Sequence, residues 1–307
     1  MKLFMQKMLG FVILILILLM LGFFFIHETS IKNTLLGETV VKRRLLETTS
    51  SPKIVFVGGS NLSYGLDSKK ISNHFSRPVV NMGVHGGLGL GYMIKEIEPH
   101  IHKDDIVILV PEYHQYTKAY YGNVEVLCVI CDIIPEYKSK LTLRHWLHLL
   151  RYMPNYAAIK LRKLVQKQNY SLKVDLGFNQ YGDYIGHYAK RSVVFAPSKS
   201  EYTLEQVVFD EIDKLYKAVQ KLDARLYILP PCYQASSYDN ESAYIGLIEN
   251  ELKRRRLPLL AETMRYKMND DLCFDTVYHL TKVGVDLRTS YVIEDLDKAF
   301  NSPVLKP

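Results

Sequence analysis

A serine set directly behind two glycines is one half of a possible acyl-transfer site, and an aspartate and a histidine four positions apart supply the other half. The serine ends the run Ile54-Val55-Phe56-Val57-Gly58-Gly59-Ser60-Asn61, and the pair lies far downstream in Asp275-Thr276-Val277-Tyr278-His279. A serine hydroxyl is a poor nucleophile until a base takes its proton, and an imidazole needs a third group to fix its tautomer and stabilise the imidazolium. Ser60, His279 and Asp275 can fill these three catalytic roles. Each half alone is a weak signal, since a serine after Gly-Gly is more often a turn residue and a histidine at a helix start is more often a cap or a surface group.

Two further segments bear on the same chemistry. Asn81-Met82-Gly83-Val84-His85-Gly86-Gly87 is a glycine-rich stretch after an apolar run, and Val110-Pro111-Glu112-Tyr113 ends another. The Ser60 and Gly83 amides could hold an oxyanion, because glycine lets the main chain approach a ligand closely. Asn61, Asn81, His85 and Glu112 complete the candidate oxyanion and substrate-binding set, with His85 a second candidate base. A competing pattern, Gly87-Leu88-Gly89-Leu90-Gly91 followed by Glu112, has the rough layout of a dinucleotide fingerprint. Its spacing departs from G-x-G-x-x-G and it follows the second strand, so close helix packing is the preferred reading. No metal or cofactor is expected.

These residues need a scaffold that gathers strand ends. Short uninterrupted apolar runs at Ile54 to Val57, Val79 to Met82 and Ile106 to Val110 alternate with helical patterns, one opened by Asp67 and one around Tyr92 to Ile101. That alternation predicts a parallel sheet covered on both faces, whose carboxyl ends share one crevice. It lapses at about residues 112–200, read as an insertion. There Leu141 to Met153 predicts one helix stopped by Pro154 and Tyr156 to Gln168 a second, and Tyr181, Tyr184 and Tyr188 are read as packing rather than sugar-stacking residues. The α/β pattern resumes with the amphipathic helix from Leu204, the strand Arg225 to Leu229, a helix over Glu241 to Arg255, a short strand near Leu257 to Leu260 and a last helix from about Thr281.

The chain has 307 residues and a formal charge of +7, and Met8 to Ile26 is a run of 19 uncharged residues. That length suits a bilayer core, and bulky Phe23-Phe24-Phe25 follows where a cleavage site would want small residues, so an uncleaved signal anchor is preferred to a cleaved peptide. Lys2 and Lys7 flank its start, which directs the bulk of the chain outside the cytoplasm by the positive-inside rule. The expected organisation is an anchor over 1–27, a polar helical stalk over 28–52, one α/β domain over 53–300 and a tail over 301–307. Lys42-Arg43-Arg44 and Lys253-Arg254-Arg255-Arg256 read as solvated or membrane-proximal clusters, and no nucleic-acid partner is expected. Cys128, Cys131, Cys232 and Cys273 allow up to two disulfides in an exported domain, or ordinary buried thiols.

Taken together, Gly58-Gly59-Ser60-Asn61, Asn81-Met82-Gly83 and Asp275 to His279 resemble the nucleophile, glycine and acid-base blocks of the SGNH (GDSL-type) hydrolase and acyltransferase superfamily. The closer likeness is to its membrane-anchored branch associated with cell-envelope polysaccharides. The resemblance covers about residues 53–120 and 203–295. It implies a flavodoxin-like three-layer sandwich and a serine-dependent O-acyl esterase or O-acyltransferase acting on an extracytoplasmic glycan, with a membrane-bound O-acyltransferase as a candidate partner. The family's third block usually offers an asparagine to the oxyanion where this chain has Glu112, and its acid and base are separated by two residues rather than three. The alternative is a non-catalytic protein of the same fold that binds glycan or scaffolds a partner.

Overall fold

The computed structural model describes residues 1–25, 35–165 and 177–301. In chain order the regular elements are α1 (Lys2–Phe25), α2 (Leu35–Thr48), β1 (Ile54–Gly58), α3 (Ser60–Ser63), α4 (Ser68–Phe75), β2 (Val79–Gly83), α5 (Leu90–Ile97) and β3 (Ile106–Val110). They continue with α6 (Val124–Ile133), α7 (Leu143–Val165), α8 (Gln206–Lys221), β4 (Arg225–Ile228), β5 (Tyr233–Gln234), α9 (Ala235–Arg254), β6 (Lys267–Met268) and α10 (Lys282–Asn301). They form two compact units, one of residues 1–40 and 123–174 and one of residues 41–122 and 175–307.

The larger unit is α/β. Its four-stranded sheet has the order β2-β1-β3-β4, every pairing is parallel, and the register sets Gly58 beside both Gly83 and Val110. The strands β1 to β3 are buried at every position, as expected where both faces are covered. Ile54, Phe56, Ile106 and Ile108 share one core with Ile71 of α4 and Val285, Val292 and Leu296 of α10, while α5 packs on β1 and α8 on β4. The predicted strand near Leu257 to Leu260 is reduced to a single parallel bridge between Ile228 and Leu259. Asp67 caps α4 as its sequence position predicted, accepting from the Lys70 amide.

The boundaries differ from the sequence expectation in two places. The α/β unit begins at residue 41, inside the segment read as a stalk, because Lys42 and Leu46 of α2 are both 1% exposed. Lys42 is therefore not a solvated charge: its ammonium donates to Ser63 Oγ at 2.6 Å and to the Gly83 carbonyl. The insertion is also narrower than 112–200, since residues 177–200 belong to the sheet unit. Asp183 ties them there by accepting from Ser68 Oγ (2.5 Å), the Ser68 amide (2.9 Å), Asn81 Nδ2 (2.8 Å) and Asn179 Nδ2 (2.9 Å). Tyr184 and Tyr188 pack around the buried His187, in line with the packing role.

In the smaller unit α7 packs on α1 and α6. The break expected at Pro154 does not occur, and α7 runs through it as one 23-residue helix. All four cysteines are free and buried, the second of the two arrangements the sequence allowed. Burial pushes the thiols of Cys128, Cys131 and Cys273 up to about 12, so they are inert rather than nucleophilic. Among the described residues no helix is long and apolar enough to cross a membrane. Part of the Met8 to Ile26 run lies outside them: Ile26, and the side chains at 19, 20 and 22–25.

Candidate active site

The sheet explains why Gly-Gly-Ser sits where it does. At the carboxyl end of β1 the chain must turn at once into α3, and a Cβ on Gly58 would strike the Val110 carbonyl while one on Gly59 would strike the Glu112 carboxyl. Only glycine fits at both. Ser60 is then the first residue of α3, partly exposed at the strand-end crevice.

The partner histidine is held by a tight loop. Cys273 and Leu280 pair across it, the Phe274 amide donates to the His279 carbonyl (2.8 Å), and Leu280 N donates to the Tyr64 carbonyl (3.2 Å). The result brings the three predicted catalytic residues together. His279 Nε2 lies 2.8 Å from Ser60 Oγ, and His279 Nδ1 lies 2.6 Å from Asp275 Oδ1. With Nδ1–H donating to the carboxylate, Nε2 is left to accept the serine proton. The three-residue gap between acid and base is no obstacle, since the loop curls Asp275 back under the imidazole.

Tyr64 holds the ring from its face. Its phenol stacks on His279 at a centroid separation of 3.9 Å and an interplanar angle of 7°. Burial pushes Tyr64 up to about 12, so it remains a neutral surface for the imidazole. Sequence reasoning passed over Tyr64, although its place four residues after the candidate nucleophile, one helical turn on and so on the same face, was a usable signal.

Gly83 does not serve the oxyanion. Its amide donates to Asn81 Oδ1 at 2.9 Å and its carbonyl accepts from Ser63 Oγ at 2.7 Å, so both polar groups are spent inside the fold. Gly86 is the glycine of this stretch whose amide is left uncommitted. The Gly86 and Ser60 amides make no hydrogen bond to any described residue, and a Cβ on Gly86 would sit 2.6 Å from Glu112 Oε2. The Glu112 carboxyl thus lies between Gly59 and Gly86, which puts Gly86 beside the nucleophile turn. Its signal in the sequence was the second glycine of Asn81-Met82-Gly83-Val84-His85-Gly86, the one lying past the strand rather than inside it.

Asn61 and Asn81 also turn away from the crevice, each with 0% exposure. Asn81 donates to the Leu62 carbonyl and to Asp183, which makes it a brace for α3. Asn61 joins two buried charged side chains: its amide nitrogen donates to Glu112 Oε1 (3.3 Å), and its carbonyl oxygens accept from Arg288, main chain at 2.5 Å and side chain at 3.0 Å. Arg288, fully buried on α10, was not anticipated. Glu112 Oε1 also accepts the Asn61 backbone amide at 3.1 Å, and the Glu112 side chain caps the turn Tyr113–Tyr116. Glu112 is 3% exposed, so it is a structural acceptor with its second oxygen toward Gly86 and, at 3.7 Å, His114 Nδ1.

His85 stands at the same rim but is spent as a cap. Its Nδ1 accepts from the Gly87 amide at 3.0 Å, and burial lowers its pKa although nearby Glu112 opposes the shift. The dinucleotide pattern has no room for a pyrophosphate: Gly89 abuts the Tyr120 carbonyl and the Gly122 amide, and Gly91 packs on the Tyr120 ring.

A base poised on a serine hydroxyl, an acid fixing that base and two uncommitted amides beside the serine can together attack an acyl carbonyl and hold the oxyanion it forms. No family model matches the chain, and no curated protein matches it.

Proposed function

We propose that the chain is a serine-dependent O-acyl esterase or O-acyltransferase of the SGNH (GDSL-type) kind, acting on an extracytoplasmic glycan. The Ser60–His279–Asp275 relay carries the proposal, supported by its position at the carboxyl edge of a parallel sheet of order β2-β1-β3-β4. Ser60 Oγ attacks the acyl carbonyl as His279 Nε2 takes its proton, and the Ser60 and Gly86 amides receive the oxyanion. The acyl–oxygen bond then breaks, with His279 returning the proton to the leaving alkoxide. Water or a sugar hydroxyl, deprotonated in turn by His279, attacks the acyl-enzyme, and as the acyl–Oγ bond breaks His279 returns that proton to Ser60 Oγ. A flavodoxin-like three-layer sandwich is the fold type this reading implies.

The uncharged run Met8 to Ile26 supports a membrane anchor with the α/β unit outside the cytoplasm, where a membrane-bound O-acyltransferase could supply the acyl group. Turnover of p-nitrophenyl acetate by the full chain tests the chemistry. Ser60→Ala and His279→Ala abolish it if the proposal holds, and turnover that survives Ser60→Ala removes the mechanism.

One observation favours a second reading, a non-catalytic glycan-binding protein of the same fold. The Glu112 carboxyl occupies the side of the crevice where negative charge would develop. Glycan binding unchanged in Ser60→Ala, with no acyl turnover by the parent chain, would select it.

A further inference from the structure

Helix α7 has three faces rather than two. At about 100° per residue, Leu149, Met153, Tyr156 and Lys160 fall on one side, and these are buried. That side is fastened to α6, where Asp132 accepts from Tyr156 OH at 2.9 Å and from Lys160 Nζ at 2.7 Å. The orientation of the helix is therefore set by a buried polar clamp.

About 130° round the helix from it runs an exposed apolar stripe. Leu143, Leu147, Leu150, Leu161 and Val165 are 76%, 57%, 53%, 43% and 80% exposed, with Pro154 and Ala158 filling the intervening turns. All seven lie within a sector of about 80°. Alongside it, Arg144, His148, Arg151 and Arg162 form an exposed basic stripe, and the helix contains no Asp or Glu. A continuous apolar stripe bordered by cations along a helix without acidic residues matches a surface of hydrocarbon beneath anionic headgroups. An acidic protein groove would satisfy the cations but not five exposed aliphatic side chains in line.

We propose that α7 lies in the plane of an anionic lipid surface, its leucine stripe at the acyl boundary and its arginines among the headgroups. This makes the insertion a second membrane contact, which would hold the smaller unit flat against the bilayer. The proposal rests on the membrane location proposed above, but not on α1 crossing the bilayer.

The chain carries its own reporter, because Trp146 is the only tryptophan in 307 residues and sits on α7 at the border of the stripe. The full chain is combined with vesicles of phosphatidylcholine alone or mixed with phosphatidylglycerol, each with and without lipids brominated near the headgroup end of the acyl chains. Expected are a blue shift and loss of Trp146 emission with brominated lipid, larger when phosphatidylglycerol is present. The double substitution Leu147→Glu, Leu150→Glu, at exposed positions, abolishes the quenching while circular dichroism stays unchanged. Arg151→Glu with Arg162→Glu, both at exposed positions, removes the preference for phosphatidylglycerol. Unquenched Trp146 in every vesicle, or quenching that survives the double glutamate variant, overturns the proposal and leaves a protein partner as the occupant. Resistance of the chain to alkaline extraction reports on α1 separately, since α1 has no tryptophan.

Discussion

If Ser60 is the nucleophile proposed above, replacing Glu112 by glutamine should raise its turnover of an activated ester. The carboxyl accepts the amide of Asn61, one peptide beyond the Ser60 amide assigned to the oxyanion, and its second oxygen faces Gly86. Two like charges about 6 Å apart at an effective dielectric of about 20 repel by about 3 kcal/mol. Arg288, reached through Asn61 on the far side, offsets part of that, leaving about 1–2 kcal/mol, or roughly 5- to 30-fold in kcat. Glutamine keeps an oxygen for the two Asn61 donors, so the cost to the fold should be about 1 kcal/mol, a fall in Tm of roughly 2–4 °C. Steady-state hydrolysis of p-nitrophenyl acetate, with thermal melts of both proteins, checks it. A kcat that falls while Tm holds would refute the reasoning, because the carboxyl would then be aiding the chemistry.

Other consequences of the geometry are open to simpler tests. Tyr64→Leu removes the ring stacked on His279 and should lower kcat by roughly 2- to 10-fold, the worth of about 0.5–1.5 kcal/mol of aromatic contact, while Tyr64→Phe should match the parent in the same assay. Gly83→Ala and Gly86→Ala should separate stability from turnover. The first places a methyl 2.6 Å from the Ser63 amide and 2.7 Å from Leu62 Cβ and should cost about 1–3 kcal/mol in urea unfolding. The second should lower kcat with a smaller change in stability. Stability should also decline on acidification, because burial depresses the pKa of His187, whose Nε2 donates to the Leu280 carbonyl. The stability contributed by keeping it neutral is fully present above its unfolded value of 6.5 and is lost as pH falls through the depressed folded value. Tm measured from neutral pH downward should fall less steeply in His187→Gln, and an identical slope would contradict this assignment.

The parallel sheet and the clustering of Ser60, His279 and Asp275 were legible because their signals are local. Five-residue apolar strands, a Gly-Gly directly behind the first of them and an Asp/His pair on one loop each announce themselves within a few positions. What the sequence hid was pairing across the fold. Lys42 reads as part of a solvated basic cluster, yet its ammonium is buried on Ser63 and Gly83. Asn61 and Asn81 look like ligand-binding amides, and both are consumed by partners more than 18 residues away: Arg288, Glu112, Leu62 and Asp183. Gly83 was preferred to Gly86 although Asn81, two residues before it, takes its amide in a local side-chain-to-backbone bond that an asparagine at that spacing allows. Pro154 reads as a stop, but packing of α7 on α1 and α6 outweighs the one hydrogen bond that proline removes.

The central claim is that Ser60 is a nucleophile activated by His279, and covalent capture tests it most directly. The full chain is treated with a fluorophosphonate probe and the modified peptide is located by mass spectrometry. The account predicts one adduct per chain, on Ser60, whose formation is lost in Ser60→Ala and strongly slowed in His279→Ala. Labelling at another residue, or labelling of Ser60 at an unchanged rate without His279, would contradict it.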